Sequence, residues 1–135
     1  LEDLCDSSAA IRYGVVQIGS DTPGGVPIVP IKFIACIASS RLHRASRSIE
    51  GKYSGSRIAG GDILLSVKGT IGHVGVVPNG FHGNIAREIA RIRPNKLVDC
   101  HFLLYQLQAP RTQKQIQQKT VGTTRLEFSI AAVRK

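Results

Sequence analysis

The chain has 135 residues, 42% of them hydrophobic and 20% charged, and 18 Lys and Arg against nine Asp and Glu give it a net charge of +9. This composition is that of one folded domain and excludes a disordered chain, and no apolar run approaches the ~18 residues of a membrane-spanning helix. The positive charge favours nucleic acid, an anionic surface or an acidic protein as partner, and we expect no membrane partner.

The three cysteines, Cys5, Cys36 and Cys100, are odd in number and widely spaced. They have no zinc-ligand spacing and form no obvious disulfide set, so we expect reduced thiols in a cytoplasmic protein. No signal peptide is visible. The chain begins at Leu1 and contains no Met, so we expect native termini to be missing.

The first half of the sequence predicts two strands and a basic helix. Residues 11–18 alternate as a first strand, and the Gly-rich residues 19–25 form a long turn. Residues 26–34 predict a second strand, which Pro27 and Pro30 place at an edge or a bulge because each removes a ladder donor. In the basic segment 41–57, apolar residues three or four apart predict a helix with outward arginines, although Gly51 weakens it.

The centre of the chain predicts a β-hairpin. Two β-branched apolar runs, 63–67 and 74–77, flank a polar turn, and Gly- and Asn-containing turn signals bound the pair. The glycine spacing matches neither a dinucleotide fingerprint nor a P-loop, so the glycines are expected to serve the close approach of backbone.

The last third of the chain predicts a polar loop, two strands and two helices. Residues 81–84 read as the loop and residues 89–93 as a strand. Asp99 is expected to cap a helix over 100–108, closed by Pro110, before a Gln-rich helix over 111–119 with Ile116 as its main apolar contact. Residues 126–130 alternate as a final strand. The fold class is therefore α+β, with helices near the C-terminal end.

Four stretches of this sequence, in order, carry a family resemblance. They are residues 11–19, residues 61–78 around Gly-Asp-Ile-Leu-Leu-Ser and Gly-Thr-Ile-Gly-His-Val-Gly-Val-Val-Pro, residues 89–94, and residues 102–107 with Ile116 and Gly-Thr-Thr-Arg at 122–125. Together they resemble the target recognition domains of type I restriction–modification specificity subunits. Pro30 and Phe33 depart from the pattern, because the family often has Arg and Asp at those places.

The resemblance implies one recognition domain over residues 1–135, without the family's helical spacers, built on a twisted, largely antiparallel β core. It implies a non-catalytic module that reads one half of a split site in double-stranded DNA. Methyltransferase and restriction subunits would be its protein partners. Those subunits would bind S-adenosylmethionine, ATP and Mg²⁺, so this chain is expected to hold no cofactor and no metal.

DNA contacts require Arg, Lys, His, Asn or Thr side chains in exposed loops, where phosphate contacts position the protein and base-edge contacts specify sequence. The candidates are Arg41, His43, Arg44, Arg47, Lys52, Lys68, Thr70, His73, His82, Asn84, Thr123, Thr124 and Arg125. Each has a structural alternative, such as turn decoration for Lys68 and Thr70 or a place within the sheet for His73. Arg87, Arg91 and Arg93 are expected on a solvated strand face or at phosphates.

No set of residues predicts an enzyme. An amino-methyltransferase motif of the Asn/Asp-Pro-Pro-Tyr/Phe type is absent, the acids are scattered, and the four His lack metal-ligand spacing. Two other functions stay open. One is a β-rich interaction or RNA-binding module for an acidic partner, although three Tyr and four Phe disfavour recognition by stacking. The other is the recognition domain of a fused restriction–methylation enzyme.

Overall fold

A computed structural model of the chain describes residues 5–7, 9–37 and 41–120. Within these residues the strands are β1 (Arg12–Tyr13), β2 (Val26–Val29), β3 (Arg44–Ala45), β4 (Ile58–Ala59), β5 (Ile63–Ser66), β6 (Val74–Val76), β7 (His82–Ile85) and β8 (Ile89–Ile92). The helices are α1 (Arg47–Glu50), α2 (Cys100–Gln108) and α3 (Pro110–Lys119), and two 3₁₀ segments cover Ile31–Phe33 and Gly51–Ser56.

The strands form two four-stranded sheets with orders β1-β8-β5-β6 and β3-β2-β7-β4. Every pairing between these strands is antiparallel except β2 with β7, which is parallel. Helix α2 contacts β5 and β6 of the first sheet and also contacts α3. The predicted α+β class, with a largely antiparallel core and helices toward the C-terminal end, is confirmed. None of the helices in the described residues has the length and apolar character that crossing a bilayer requires.

The predicted β-hairpin is confirmed as β5 and β6, in which Ile63 lies opposite Val76 and Leu65 opposite Val74. Strand β5 is buried on both faces because successive side chains point to opposite sides of a sheet. Its odd-numbered residues enter a helix-side core with α2 and α3, and Leu64 enters an intersheet core with residues of the second sheet. The hairpin therefore belongs to both cores.

The two predicted helices near residue 100 are confirmed. Asp99 caps α2 as expected, since its Oδ1 accepts hydrogen bonds from the backbone N–H of His101 at 2.8 Å and of Phe102 at 3.1 Å. Pro110 closes the first helix and opens the second, where its missing N–H costs nothing at the first helical position. Ile116 is buried in the helix-side core, as predicted.

The first two strands are shorter than predicted. Strand β1 covers only Arg12–Tyr13, followed by an isolated bridge from Val15 to Ala86. Strand β2 ends at Val29, and the edge position expected for it is wrong, because β2 lies between β3 and β7. Pro27 fits there because β3 pairs with the first half of β2 and β7 pairs only with Ile28 and Val29.

The predicted basic helix is wrong: residues 44–56 form β3, the single turn α1 and a 3₁₀ segment. Backbone hydrogen bonds from Thr22 N to Arg44 O and from Ile28 N to His43 O draw this stretch into the second sheet. The Ser46 hydroxyl then accepts from Ile49 N at 3.3 Å and starts the helix only at that point. The predicted strand at 126–130 lies outside the described residues.

The predicted polar loop 81–84 is also wrong, because His82–Ile85 form β7 between β2 and β4. Asn84 is fully buried there, and its side-chain amide is hydrogen-bonded to other residues of the protein. Its Nδ2 donates to Glu50 Oε1 and to Tyr53 O, both at 3.0 Å, while its Oδ1 accepts from Ser56 Oγ at 2.7 Å. Asn84 thus ties β7 to α1 and the following 3₁₀ segment.

A testable consequence concerns Gly75, whose backbone passes directly under the Ile34 carbonyl. A Cβ built on Gly75 would lie 1.9 Å from Ile34 O, so Gly75→Ala must displace backbone and should lower the free energy of unfolding by about 3 kcal/mol. The matched control is Gly51→Ala, where no atom lies within 4 Å of the added Cβ and φ is −58°. That change should raise stability by about 0.5 kcal/mol in urea unfolding. Equal effects at the two glycines would refute the close approach.

A second consequence concerns the buried Asn84 amide. Asn84→Ala removes its hydrogen bonds and leaves buried groups without partners, so the free energy of unfolding should fall by about 2–4 kcal/mol. Asn79→Ala, at an exposed position of the same residue type, should change it by less than about 0.5 kcal/mol. Urea denaturation of both variants measures the difference, and an unaltered midpoint for Asn84→Ala would contradict the network.

Candidate nucleic-acid interface

Four of the predicted site residues lie together around β3. His43 Nε2 is 3.0 Å from Gly19 O, and Arg44 Nη1 donates to Gly25 O at 2.9 Å, so both side chains are held against the 19–25 turn. Arg41 and Arg47 are exposed, and their guanidinium groups have no hydrogen bond or ion pair with another described residue. The structure therefore brings these four predicted residues together on one basic surface. They lie around strand β3 and the single helical turn α1 rather than on the predicted helix.

Two adjacent clefts open on this surface. The first, which we call the Arg41 cleft, encloses about 420 Å³. It is lined by Asp21, Pro23, Gly24, Pro27, Ile37, Arg41, Leu42, Arg44 and Phe81. The second, which we call the Arg57 cleft, encloses about 570 Å³. It is lined by Gly25, Val26, Pro27, Arg47, Glu50, Arg57, Ile58, Ala59, His82, Gly83 and Arg93. Pro27 lines both, so the two clefts are neighbours.

Buried carboxylates hold two of the cleft arginines. Glu50, with a side chain only 2% exposed, accepts from Arg57 Nε at 2.7 Å and from Arg57 Nη2 at 2.8 Å. Asp62, also 2% exposed, accepts from Arg93 Nε at 2.7 Å and from Arg93 Nη2 at 2.8 Å. Each guanidinium is therefore gripped along one edge by a carboxylate that water does not reach.

The same pairs shift the pKa values of their members. Hydrogen bonding from Arg57 lowers the pKa of the Glu50 carboxyl below its ordinary value of 4.5, burial opposes this, and the hydrogen bond from Asn84 lowers it further. The hydrogen bond to Asp62 raises the pKa of Arg93, and that to Glu50 raises the pKa of Arg57. Glu50, Arg57 and Arg93 are therefore charged at neutral pH.

Sequence reasoning missed Arg57 as a site residue, and it left Arg93 on a solvated strand face or at phosphates rather than among the DNA-binding candidates. The signal for them was the acid in each case: Glu50 is the single acid of the basic segment, and Asp62 stands directly before a strand buried on both faces. An acid in such a place requires a cation, because a buried carboxylate without a partner is costly.

The expectation that Arg91 lies on a solvated face is wrong. Strand β8 lies between β1 and β5, and Arg91 is 4% exposed. Its Nη1 donates to Arg57 O at 2.9 Å and its Nη2 to Ala10 O at 2.6 Å, while its Nε has no hydrogen-bond partner within the described structure. Burial lowers the pKa of Arg91, and the nearby charge of Arg93 adds to this. Arg91 is a core residue that supports the backbone beneath the Arg57 cleft.

The hairpin turn forms a separate group of predicted site residues. Lys68 Nζ lies 4.3 Å from the centre of the Tyr13 ring, and Thr70 and His73 are exposed. Gln113 of α3 donates to Gly72 O at 3.0 Å and braces the turn. The turn follows β5, whereas Asp62 precedes it, so this group and the Arg57 cleft lie at opposite ends of that strand.

The remaining predicted residues divide further. His82 is exposed and lines the Arg57 cleft, whereas Lys52 is exposed on the 3₁₀ segment and lines neither cleft. Asn84 faces the interior, so its predicted place in an exposed loop is wrong. Thr123, Thr124 and Arg125 lie outside the described residues.

Among the residues that the structure describes, one group of side chains has metal-ligating chemistry. Asp99, Cys100 and His101 place one ligand atom each within 4.8 Å of one another at the start of α2. The Asp99 Oδ1 atom already accepts the capping hydrogen bonds of that helix. The structural role of Asp99 is therefore to cap α2.

The Glu50 pair predicts a pH dependence of stability. Because the folded pKa of Glu50 lies below 4.5, its contribution is present above that pH and is lost as the pH falls through the folded value. In urea unfolding from pH 7 to pH 3, the unaltered chain should lose stability more steeply than Glu50→Gln, and the two curves should converge at the acid end. Parallel curves would show that Glu50 carries no such linkage.

The chain matches a known protein family and a protein of that kind. The family described as type I restriction modification DNA specificity domain matches residues 13–135. The Type I restriction enzyme EcoBI specificity subunit of Escherichia coli is 30% identical over 132 aligned residues, which cover 90% of this chain and 28% of that protein.

Two solved structures share the fold. One, from work on complex assembly and conformational transition of the type I R-M system, superposes with a TM-score of 0.64 at 19% identity and covers 100% of this chain and 31% of its own. The S subunit of the type I restriction-modification system from M. genitalium superposes at 0.61 with 17% identity, covering 99% and 31%. This chain thus spans less than a third of each relative. It belongs to the DNA specificity domain family of type I restriction–modification systems.

Proposed function

We propose that this chain binds double-stranded DNA and reads one half of a bipartite target for a type I restriction–modification complex, without catalysing a reaction itself. Family membership supports target recognition, and one structural observation supports DNA as the ligand. That observation is the pair of adjacent clefts around Pro27, into which five arginines from three parts of the chain converge: Arg41, Arg44, Arg47, Arg57 and Arg93.

In this proposal the basic surface contacts phosphates and the hairpin turn contacts base edges. Arginines that are exposed and unpaired among the described residues, such as Arg41 and Arg47, suit phosphates, because they add charge without a fixed direction. Polar groups on the turn, the half-buried Lys68 and the exposed Thr70 and His73, suit base edges. His43, Arg44, Lys52 and His82 belong to the proposed surface, and Thr123, Thr124 and Arg125 belong to it on sequence alone. Asn84 does not, because it is buried.

The partners of this proposal are methyltransferase and restriction subunits, in a cytoplasmic complex. A module of this size buries about 600–1,000 Å² on DNA, so its affinity on its own should be weak. Those subunits would bind the methyl donor, the nucleotide and its metal. A fused restriction–methylation enzyme would use the same DNA surface.

The test is selection from a pool of random duplexes across a salt series. The 135-residue chain should enrich a fixed motif of about three to five base pairs. If about six basic groups meet phosphates, retention should weaken about 10³-fold between 50 and 200 mM salt. Retention without enrichment would leave a basic surface that does not specify sequence. No retention at low salt would reject DNA and favour the alternative of an acidic protein or RNA partner, which the same assay with RNA can examine.

A further inference from the structure

We propose that the Arg57 cleft binds a single backbone phosphate of DNA, with Arg47, Arg57 and Arg93 as its ligands and Glu50 and Asp62 as the residues that position two of them. This inference rests on the proposed function and deepens it, because it separates a contact that places the domain on the duplex from contacts that read sequence. Nothing in the sequence resemblance assigns Arg57 or Arg93 to DNA.

The ion pairs of Arg57 and Arg93 leave N–H donors of both guanidinium groups available to a phosphate. A guanidinium offers five N–H donors in a planar fork, and each carboxylate takes the Nε and Nη2 side. Nη1 of Arg57 and Nη1 of Arg93 make no hydrogen bond to any residue in the described part of the chain. Arg93 Nη2 also lies 3.5 Å from the backbone carbonyl oxygen of Arg57, so the Arg93 guanidinium lies beside the Arg57 backbone, and both residues line the cleft. Two fixed guanidiniums with open edges therefore share one cleft.

The charge of the cleft matches one phosphodiester. Three guanidinium groups and two carboxylates line it or stand directly behind it, which leaves one net positive charge. A phosphodiester carries one negative charge and accepts two parallel N–H bonds from an arginine fork. Arg47, which has no partner among the described residues, supplies the uncompensated charge.

The shape of the cleft favours a phosphate over a base edge. Base edges lie at the floor of a major groove that is about 8.5 Å deep, so only a protruding side chain can reach them. Arg93 is recessed, with a side chain 33% exposed, and Arg57 is 54% exposed at the cleft wall. A concave site with the recessed Arg93 and the more exposed Arg57 at its wall instead receives the convex sugar–phosphate ridge.

The buried acids contribute direction rather than charge. A free arginine loses rotamer entropy when it binds, whereas Arg57 and Arg93 are already ordered by Glu50 and Asp62. The carboxylates lie on the protein side of both guanidiniums, so an incoming phosphate would meet preformed donors.

The experiment uses the unaltered chain and the duplex it selects, with each phosphate replaced in turn by an uncharged methylphosphonate. One replacement should weaken binding by about tenfold, which is the loss of one charge-assisted contact. With Arg47→Gln, that same replacement should have little further effect, and the slope of log K against log salt should fall by about one unit. The selected motif should stay the same.

Two further variants keep the test clear of folding defects. Arg57→Lys keeps a positive charge beside Glu50, so the slope of log K against log salt should be unchanged. The affinity should fall, because an ammonium group that is bound to a carboxylate has no second edge from which to donate to a phosphate. Arg111→Gln on the exposed start of α3 makes the same charge change as Arg47→Gln away from the cleft. It should keep the full methylphosphonate effect. Thermal unfolding of each variant confirms that it is folded.

Three outcomes would overturn the inference. An equal methylphosphonate effect in Arg47→Gln and the unaltered chain would remove the cleft from phosphate binding. A change in the selected motif with an unchanged salt slope would make these arginines base readers instead. Failure of the unaltered chain to retain any duplex would reject the proposed function itself and this site with it, and only that third outcome touches both.

Discussion

The antiparallel pairing of β5 with β8 is the constraint on which the rest of the structure depends. These strands are the two inner strands of their sheet, and all four residues of each are buried. Alternate side chains enter different cores, so the pair packs against α2 and α3 on one side and against the second sheet on the other. A slip of one residue would exchange the two sets of side chains, which fixes the register.

The second sheet is held to this pair by polar groups as well as by apolar packing. Asn84, Glu50 and Ser56 form a connected buried network, and Arg91 reaches from β8 to the Arg57 carbonyl. Such networks are stabilising only when their members are satisfied, and they specify one arrangement of the parts they join. Glu50, a member of this network, also orients Arg57 in the cleft, and the buried Asp62 orients Arg93 there.

Local signals in the sequence were sufficient for the hairpin, the capped helix after Asp99 and the Pro110 helix start. Each depends on residues within a few positions of one another. The β3 region was mispredicted because its partners, Thr22 and Ile28, are distant in sequence and overrode a helical spacing. Asn84 and Arg91 were placed at the surface for a related reason: polarity predicts exposure, and only the structure shows the tertiary partners that hold each side chain inside. The basic character of the site could be predicted from the sequence. The positions of Arg57 and Arg93 could not, because they are set by ion pairs with Glu50 and Asp62 that only the fold shows.

The exposed position of Thr70 and His73 on the hairpin turn has an evolutionary consequence. Exposed residues that touch few neighbours can be exchanged at a cost of only about 0.5 kcal/mol. Thr70 and His73 can therefore vary while Ile63, Leu64 and their partners stay fixed. Arg57 and Arg93 have no such freedom, because replacing either leaves a buried carboxylate without its cation. A domain built in this way can change the exposed residues of its hairpin turn while the ion pairs at the Arg57 cleft stay the same.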